Sequence, residues 1–206
     1  MDKASLIDRI MTLEWQMFSR VQNEGGKAAC QKDAVTFRIM RNSQCAAWDE
    51  ELLASYLADL EIAQEMGRNL MSEKYARMME STFPEKYARI AARLPPLDPC
   101  AARRIEEIVA IHVAWKEILD ACYPHLKERG RPLRSRDDSA GLPSLETYMR
   151  AELQTFSPQT VALYYADTIR RIEKGENEAE ENLFNQVRQY DFTNLEEAER
   201  YFSTHE

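Results

Sequence analysis

The strongest constraint on this chain is a contrast: it has no clean alternating run of β-branched residues bounded by turns, while helix-start signals recur along it. Asp98-Pro99 places an N-cap acid before a proline at the first helical position, where the missing N–H costs no hydrogen bond, and Ser157-Pro158 repeats the pairing. Thr193-Asn-Leu-Glu196 reads as a capping box, and Asp49 precedes an apolar-periodic run to Met66. The expectation is an all-α fold, a bundle of about 8–10 helices with a polar site in the helical core. The helices are expected near 4–22, 33–45, 49–66, 69–81, 85–93, 99–126, 144–156, 158–173, 177–190 and 194–203.

At 206 residues the chain reads as one domain, 1–206, large enough to bury a substantial core. The segment 127–143, KERGRPLRSRDDSAGLP, is charged and rich in turn formers, and is expected to be a mobile loop. A lid over a site and a solvated linker both fit it; the linker is preferred, since long loops are only sometimes functional.

The formal charge of −8, with no block of basic residues, argues against nucleic acid and anionic membrane surfaces as partners. The opening MDKASLIDRIMTLEW scatters charges through its apolar residues, unlike a signal peptide, and no run approaches the roughly 20 apolar residues of a spanning helix. A cytoplasmic protein is expected. Cys30, Cys45, Cys100 and Cys122 are spaced as free thiols, and the lone Cys122-x-x-His125 has no second half of a zinc site.

The helical wheels carry the functional information. Leu6, Ile10, Leu13, Met17, Phe18 and Val21 form a continuous arc on the first helix, and Glu14 falls in its middle. His112 lies among Ile105, Ile108, Trp115 and Leu119, and Glu152 lies between Leu145 and Tyr148. Buried ionisable groups need partners. The run Phe37-Arg38-Ile39-Met40-Arg41-Asn42-Ser43-Gln44 spreads apolar residues around a helix, which predicts burial of Arg38 and Arg41 with it. Lys74 sits at the edge of the Met71/Tyr75/Met78 face.

Each inward group alone reads as a structural salt bridge or a satisfied core histidine. Two carboxylates, an imidazole, two arginines and a lysine together exceed what a small helical core needs, and point to a polar site. Glu14, His112, Lys74 and Tyr75 are the catalytic candidates. Asn23, Gln31, Arg38, Arg41, Gln44 and Glu152 are the substrate-binding candidates.

Other motifs fall away. Gly25-Gly26-Lys27 lacks P-loop spacing and follows a helix, so it reads as a turn with positive φ. No Glu-x-x-His pair supports a di-metal site, and neither metal nor cofactor is expected. Cys30 as a nucleophile would need a base such as His112, and nothing in the sequence brings the two together.

Glu14-Trp15-x-Met17-Phe18, Asn23-x-Gly25-Gly26-x-Ala28-x-Cys30-Gln31, Phe37-Arg38-x-Met40-Arg41-x-Ser43-Gln44 and Asn69-Leu-Met-x-Glu73-Lys74-Tyr75-Ala76-Arg77-Met78 resemble a bacterial family known as a domain of unknown function. The resemblance continues more weakly from Tyr148-Met-Arg-Ala-Glu152 to Tyr165. It implies a bacterial, cytosolic, single-domain protein and supplies no catalytic role.

The leading expectation is a cofactor-independent enzyme, of lyase or hydrolase type, acting on a small anionic metabolite such as an amino or carboxylic acid. Arg38 and Arg41 would grip the carboxylate, Glu14 and His112 would move protons, and Lys74 with Tyr75 would polarise a leaving group. The alternative is a non-catalytic ligand-binding or protein-interaction module.

Overall fold

Most helices begin where a short polar side chain meets the free N–H groups of a first turn. Asp2, Asp33, Asp49, Asn69, Asp98, Ser144, Ser157, Asn177 and Asn194 each accept from such a group, an interaction of about 1 kcal/mol apiece. The structure, a computed structural model, describes residues 1–22, 26 and 29–205, with the backbone alone at 29 and 30. Asn23, Gly25 and the Cys30 side chain lie outside the described residues.

Eleven α-helices are present among the described residues: α1 (Lys3–Phe18), α2 (Ala34–Ala47), α3 (Glu50–Glu65), α4 (Leu70–Thr82), α5 (Pro84–Ile90), α6 (Pro99–Cys122), α7 (Pro124–Glu128), α8 (Leu145–Leu153), α9 (Pro158–Lys174), α10 (Glu178–Arg188) and α11 (Leu195–Thr204). Short 3₁₀ turns occupy Ala29–Lys32, Ala91–Arg93 and Ser135–Asp137. The all-α expectation holds, and several boundaries move.

The first helix stops at Phe18, ahead of the double glycine, and the Ser19 N–H closes on Trp15 O. Gln31 then donates its amide to Phe18 O at 2.9 Å and Val21 O at 2.8 Å, satisfying carbonyls that the helix has released. Gly26 has φ of +96°, as its reading as a turn requires. The helix expected over 99–126 breaks at Tyr123, because Pro124 lacks an N–H and its ring collides with the preceding turn. The final capping box closes one residue later than expected: Asn194 is the N-cap, and Glu197 reaches back to the Thr193 N–H.

One core joins α1, α3, α6, α8 and α9, centred on Ile10, Leu13, Leu52, Leu53, Leu60, Ile105, Ile108 and Val161. Fully burying an aliphatic side chain of this size contributes about 1.5–3 kcal/mol, so this interior dominates stability. A smaller cluster, Leu119, Val187, Leu195 and Ala198, docks α11 against α6 and α10. Glu199 of α11 accepts from the His125 and Leu126 N–H groups and so holds the start of α7.

The segment 127–143 is tied down at several points. Leu145 N–H donates to Pro132 O, Ser135 N–H to Glu146, and Ser144 N–H to Asp138, while Leu133 packs on the main core. Hydroxyls from Ser81 and Thr147 also donate to Asp138. Burial pushes the Asp138 carboxyl up, and these donors outweigh it and hold it below its ordinary value.

Candidate functional site

Glu14 is inward, as its place in the α1 apolar arc predicts, and it is fully buried. Arg41 of α2 grips it with two parallel bonds, Nε to Oε2 at 2.7 Å and Nη2 to Oε1 at 2.5 Å. The Tyr56 hydroxyl of α3 donates to the same carboxylate at 2.6 Å. On its other side Arg41 Nη1 donates to Glu152 Oε1 of α8 and to Gln44 Oε1, both at 2.7 Å. Lys74 of α4 completes the lattice, with Nζ 3.3 Å from Glu152 Oε1 and donating to the Tyr148 hydroxyl at 2.6 Å.

Helical spacing makes this possible. Arg41 and Gln44 are three residues apart and Tyr148 and Glu152 four, so each pair shares a face. Five helices thus send polar groups to one point. Two carboxylates face two cations in a space closed to water. Burial raises the Glu152 carboxyl, but Arg41 and Lys74 outweigh it and bring it down to about 2. Burial works against the charge on Arg41, and Glu14 with Glu152 lift it well above its ordinary value. Burial and the Glu14 carboxylate keep Tyr56 a phenol, hence a donor. The Cys45 thiol, pushed up to about 12 by burial, is no nucleophile.

A second polar cluster lies beyond a wall of aromatic rings formed by Tyr56, Trp48, Phe156 and Tyr164. Glu178, in the first turn of α10, accepts from Trp48 Nε1 at 3.0 Å and from the Tyr164 hydroxyl at 2.8 Å, both on Oε1. Its Oε2 faces His112 Nε2 at 3.5 Å and Arg171 Nε at 4.0 Å, and neither Oε2 nor His112 Nε2 has a hydrogen-bond partner among the described residues. Arg171 is shared with Asp167 at 2.7 Å and Glu181 at 2.8 Å, and also donates to Ala47 O. Burial pushes Glu178 up to about 7 against the pull of Tyr164 and Arg171, and burial with the nearby Arg171 charge holds His112 down at about 3. Burial without enough positive charge nearby thus sets Glu178 to gain or lose its proton around neutral pH.

The candidates therefore divide. Glu14, Arg41, Gln44, Lys74 and Glu152 meet. His112 does not join them; its polar neighbours are Glu178 and Arg171. Arg38, expected to be buried, is exposed: its side chain is 59% accessible and lies 3.4 Å from Asp8, itself 70% accessible. α2 enters the core only from Arg41 onward, through Arg41, Ser43, Cys45 and Ala47, and Arg38 lies one turn earlier in its exposed first half. Tyr75 is half-buried and stacks on Phe18, with ring centroids 6.1 Å apart. Gln31 serves the end of α1, and Asn23 lies outside the described residues.

Sequence reasoning missed Tyr56, Trp48, Asp167, Arg171 and Glu178. For Asp167 and Arg171 a signal existed, since both share a stripe with Val161, Tyr164 and Thr168 on the α9 wheel. Glu178 gave none, because an acid in a first turn reads as complementing the helix dipole.

Among the described residues no group of three or more His, Cys, Asp or Glu side chains is placed to hold a metal ion, and no helix is long and apolar enough to cross a membrane. No curated protein and no solved structure matches the chain. The family model described as "Protein of unknown function (DUF4125)" matches residues 4–200, and the chain belongs to that family.

Proposed function

We propose that this protein is a non-catalytic helical binding module, and that the Glu14–Arg41–Glu152–Lys74 lattice is its internal frame. The observation that carries this reading is the closure of Arg41. Its three nitrogens make four bonds to Glu14, Gln44 and Glu152, which leaves little of the fork for a substrate carboxylate. Two clefts open among the described residues, and neither is lined by a member of the lattice. To grip a metabolite, Arg41 would first have to release a buried partner at a cost of about 3–5 kcal/mol. That is a large part of the roughly 5–15 kcal/mol that keeps a domain folded.

The test is a panel of small metabolites screened by thermal shift, with proton NMR following consumption, on the wild type and on Glu14→Gln. A ligand that raises the melting temperature and is not consumed is the expected result, with Glu14→Gln melting several degrees lower in its absence. A metabolite consumed by the wild type but not by folded Glu14→Gln would sink the frame reading.

One observation favours the enzyme reading at the other cluster. His112 Nε2 and Glu178 Oε2 face each other without hydrogen bonds, and Glu178 titrates at about 7, where a general acid or base is effective. A cleft of about 450 Å³ lined by Arg171, Asn177, Glu181 and Tyr123 lies on the Arg171 side. A lyase or hydrolase working there would lose turnover in Glu178→Gln and keep it in Glu14→Gln.

A further inference from the structure

Arg77 is a buried cation without a carboxylate. Its side chain belongs to α4 and is only 6% exposed as a residue, yet no carboxylate oxygen among the described residues lies within the 4.0 Å of an ion pair. Nη2 donates to Pro95 O at 2.7 Å, and Nε is enclosed with no hydrogen-bond partner among the described residues. Burial pulls the guanidinium below its ordinary value, whereas Arg41 and Arg171, buried beside acids, are held above it. A guanidinium left in this state is stabilised by any oxyanion that reaches it.

Arg77 lines a cleft of about 270 Å³ between α4 and α8, with Glu80, Ser81, Thr147, Arg150 and Gln154 around it. Most of these groups are already committed. Ser81 and Thr147 donate to Asp138, and Arg150 is held by Glu106 and Glu146. The Glu80 carboxylate and the Gln154 amide, like Arg77 Nη1, make no side-chain hydrogen bond among the described residues. One hollow thus carries a guanidinium with Nη1 uncommitted, beside a carboxylate and an amide with no side-chain partner among the described residues.

We propose that this cleft binds a small zwitterion of the amino-acid type, its carboxylate on Arg77, its ammonium toward Glu80 and the Gln154 amide beside them. The proposal rests on the binding-module reading and names the site and ligand class for it. Glu80 and Asp138 repel a dianion such as phosphate, and Glu80 gives an isolated carboxylate no benefit. Opposite charges at the two ends of one ligand satisfy both free groups at once.

Isothermal titration of the wild-type chain with individual free amino acids, acetate, ethylamine and inorganic phosphate tests this. At least one amino acid is expected to bind, with acetate, ethylamine and phosphate each about tenfold weaker or worse. Arg77→Gln should weaken that binding by about tenfold or more and Glu80→Gln by less, since Glu80 is the more exposed partner. If Arg77→Gln fails to fold, Arg77→Lys keeps the charge, loses the fork and is expected to bind weakly. Phosphate bound more tightly than every amino acid, or amino-acid affinity unchanged in the Arg77 variants, would overturn the site. A ligand from the metabolite panel that binds Arg77→Gln and Arg77→Lys as it binds the wild type overturns the site alone. A panel with no binder at all overturns the module reading with it.

Discussion

The two polar clusters on either side of the Trp48–Tyr56 wall are buried to a similar degree and differ in their charge count. Glu14 and Glu152 meet Arg41 and Lys74, two against two, and the lattice is ionised and closed. Glu178, Asp167 and Glu181 face Arg171, with Arg170 on Asp167, three against two, and burial without a full complement of cations raises Glu178 to about 7. The lesson is that burial alone does not make a group reactive. What matters is whether the neighbouring charges balance before a proton is added.

Breaking the lattice should give the largest effect. Arg41→Ala leaves Glu14 and Glu152 buried and facing each other, with an expected loss of about 5 kcal/mol, read as a lower midpoint in urea or as failure to fold. Acid acts on the same lattice. Glu152 sits at about 2 when folded, below its ordinary 4.5, so its stabilisation is present above about pH 4.5 and is lost as pH falls toward 2. The loss is on the order of 3 kcal/mol, and urea midpoints between pH 6 and 3 should fall less steeply in Glu152→Gln than in the wild type. Glu14→Gln keeps an acceptor for Tyr56 or Arg41 but not both charges, and should cost about 2 kcal/mol.

The other cluster should respond differently. A raised carboxyl stabilises below its unfolded value and loses that contribution as pH rises through its folded value, so the Glu178 term fades between about pH 4.5 and 7. His112, lowered from 6.5 to about 3, has the opposite sign, contributing above about pH 6.5 and losing that as pH falls. Over pH 4.5–6.5 the two cancel, because folded and unfolded states each hold one proton on the pair. Glu178→Gln mimics the protonated carboxyl and escapes that loss, so it should raise stability at pH 7 by up to about 3 kcal/mol and unmask the His112 term, with melting temperature dropping as pH falls below about 6.5. A pH profile parallel to the wild type's would remove the coupling between the two side chains. Arg38→Ala, at an exposed pair, should move the midpoint by less than about 0.5 kcal/mol.

Much of the fold was legible. Asp49, Asp98 and Ser157 cap the helices that their sequence positions predict, because capping depends on neighbours within one turn. The inward placement of Glu14, His112 and Glu152 was legible for a similar reason, as helical period converts spacing into a face. The assembly of the site was not. His112 was grouped with Glu14 on the basis of type and burial, yet α6 delivers it to the far side of the aromatic wall. Arg38 and Arg41 lie in one short run, and one helical turn along α2 separates an exposed pair from the centre of the lattice.

The sequence by itself determined the helices, most of their caps and which ionisable groups would enter the core, since all three follow from interactions along a few residues of chain. Only the tertiary structure decided which of those groups meet: that Arg41 closes on Glu14 and Glu152, that His112 finds Glu178 instead, and that Arg77 forms no ion pair among the described residues. The physical reason is range. A helical face is set by a period of about 3.6 residues, whereas the balance of charge at a buried point is set by side chains from five helices whose approach no local pattern encodes.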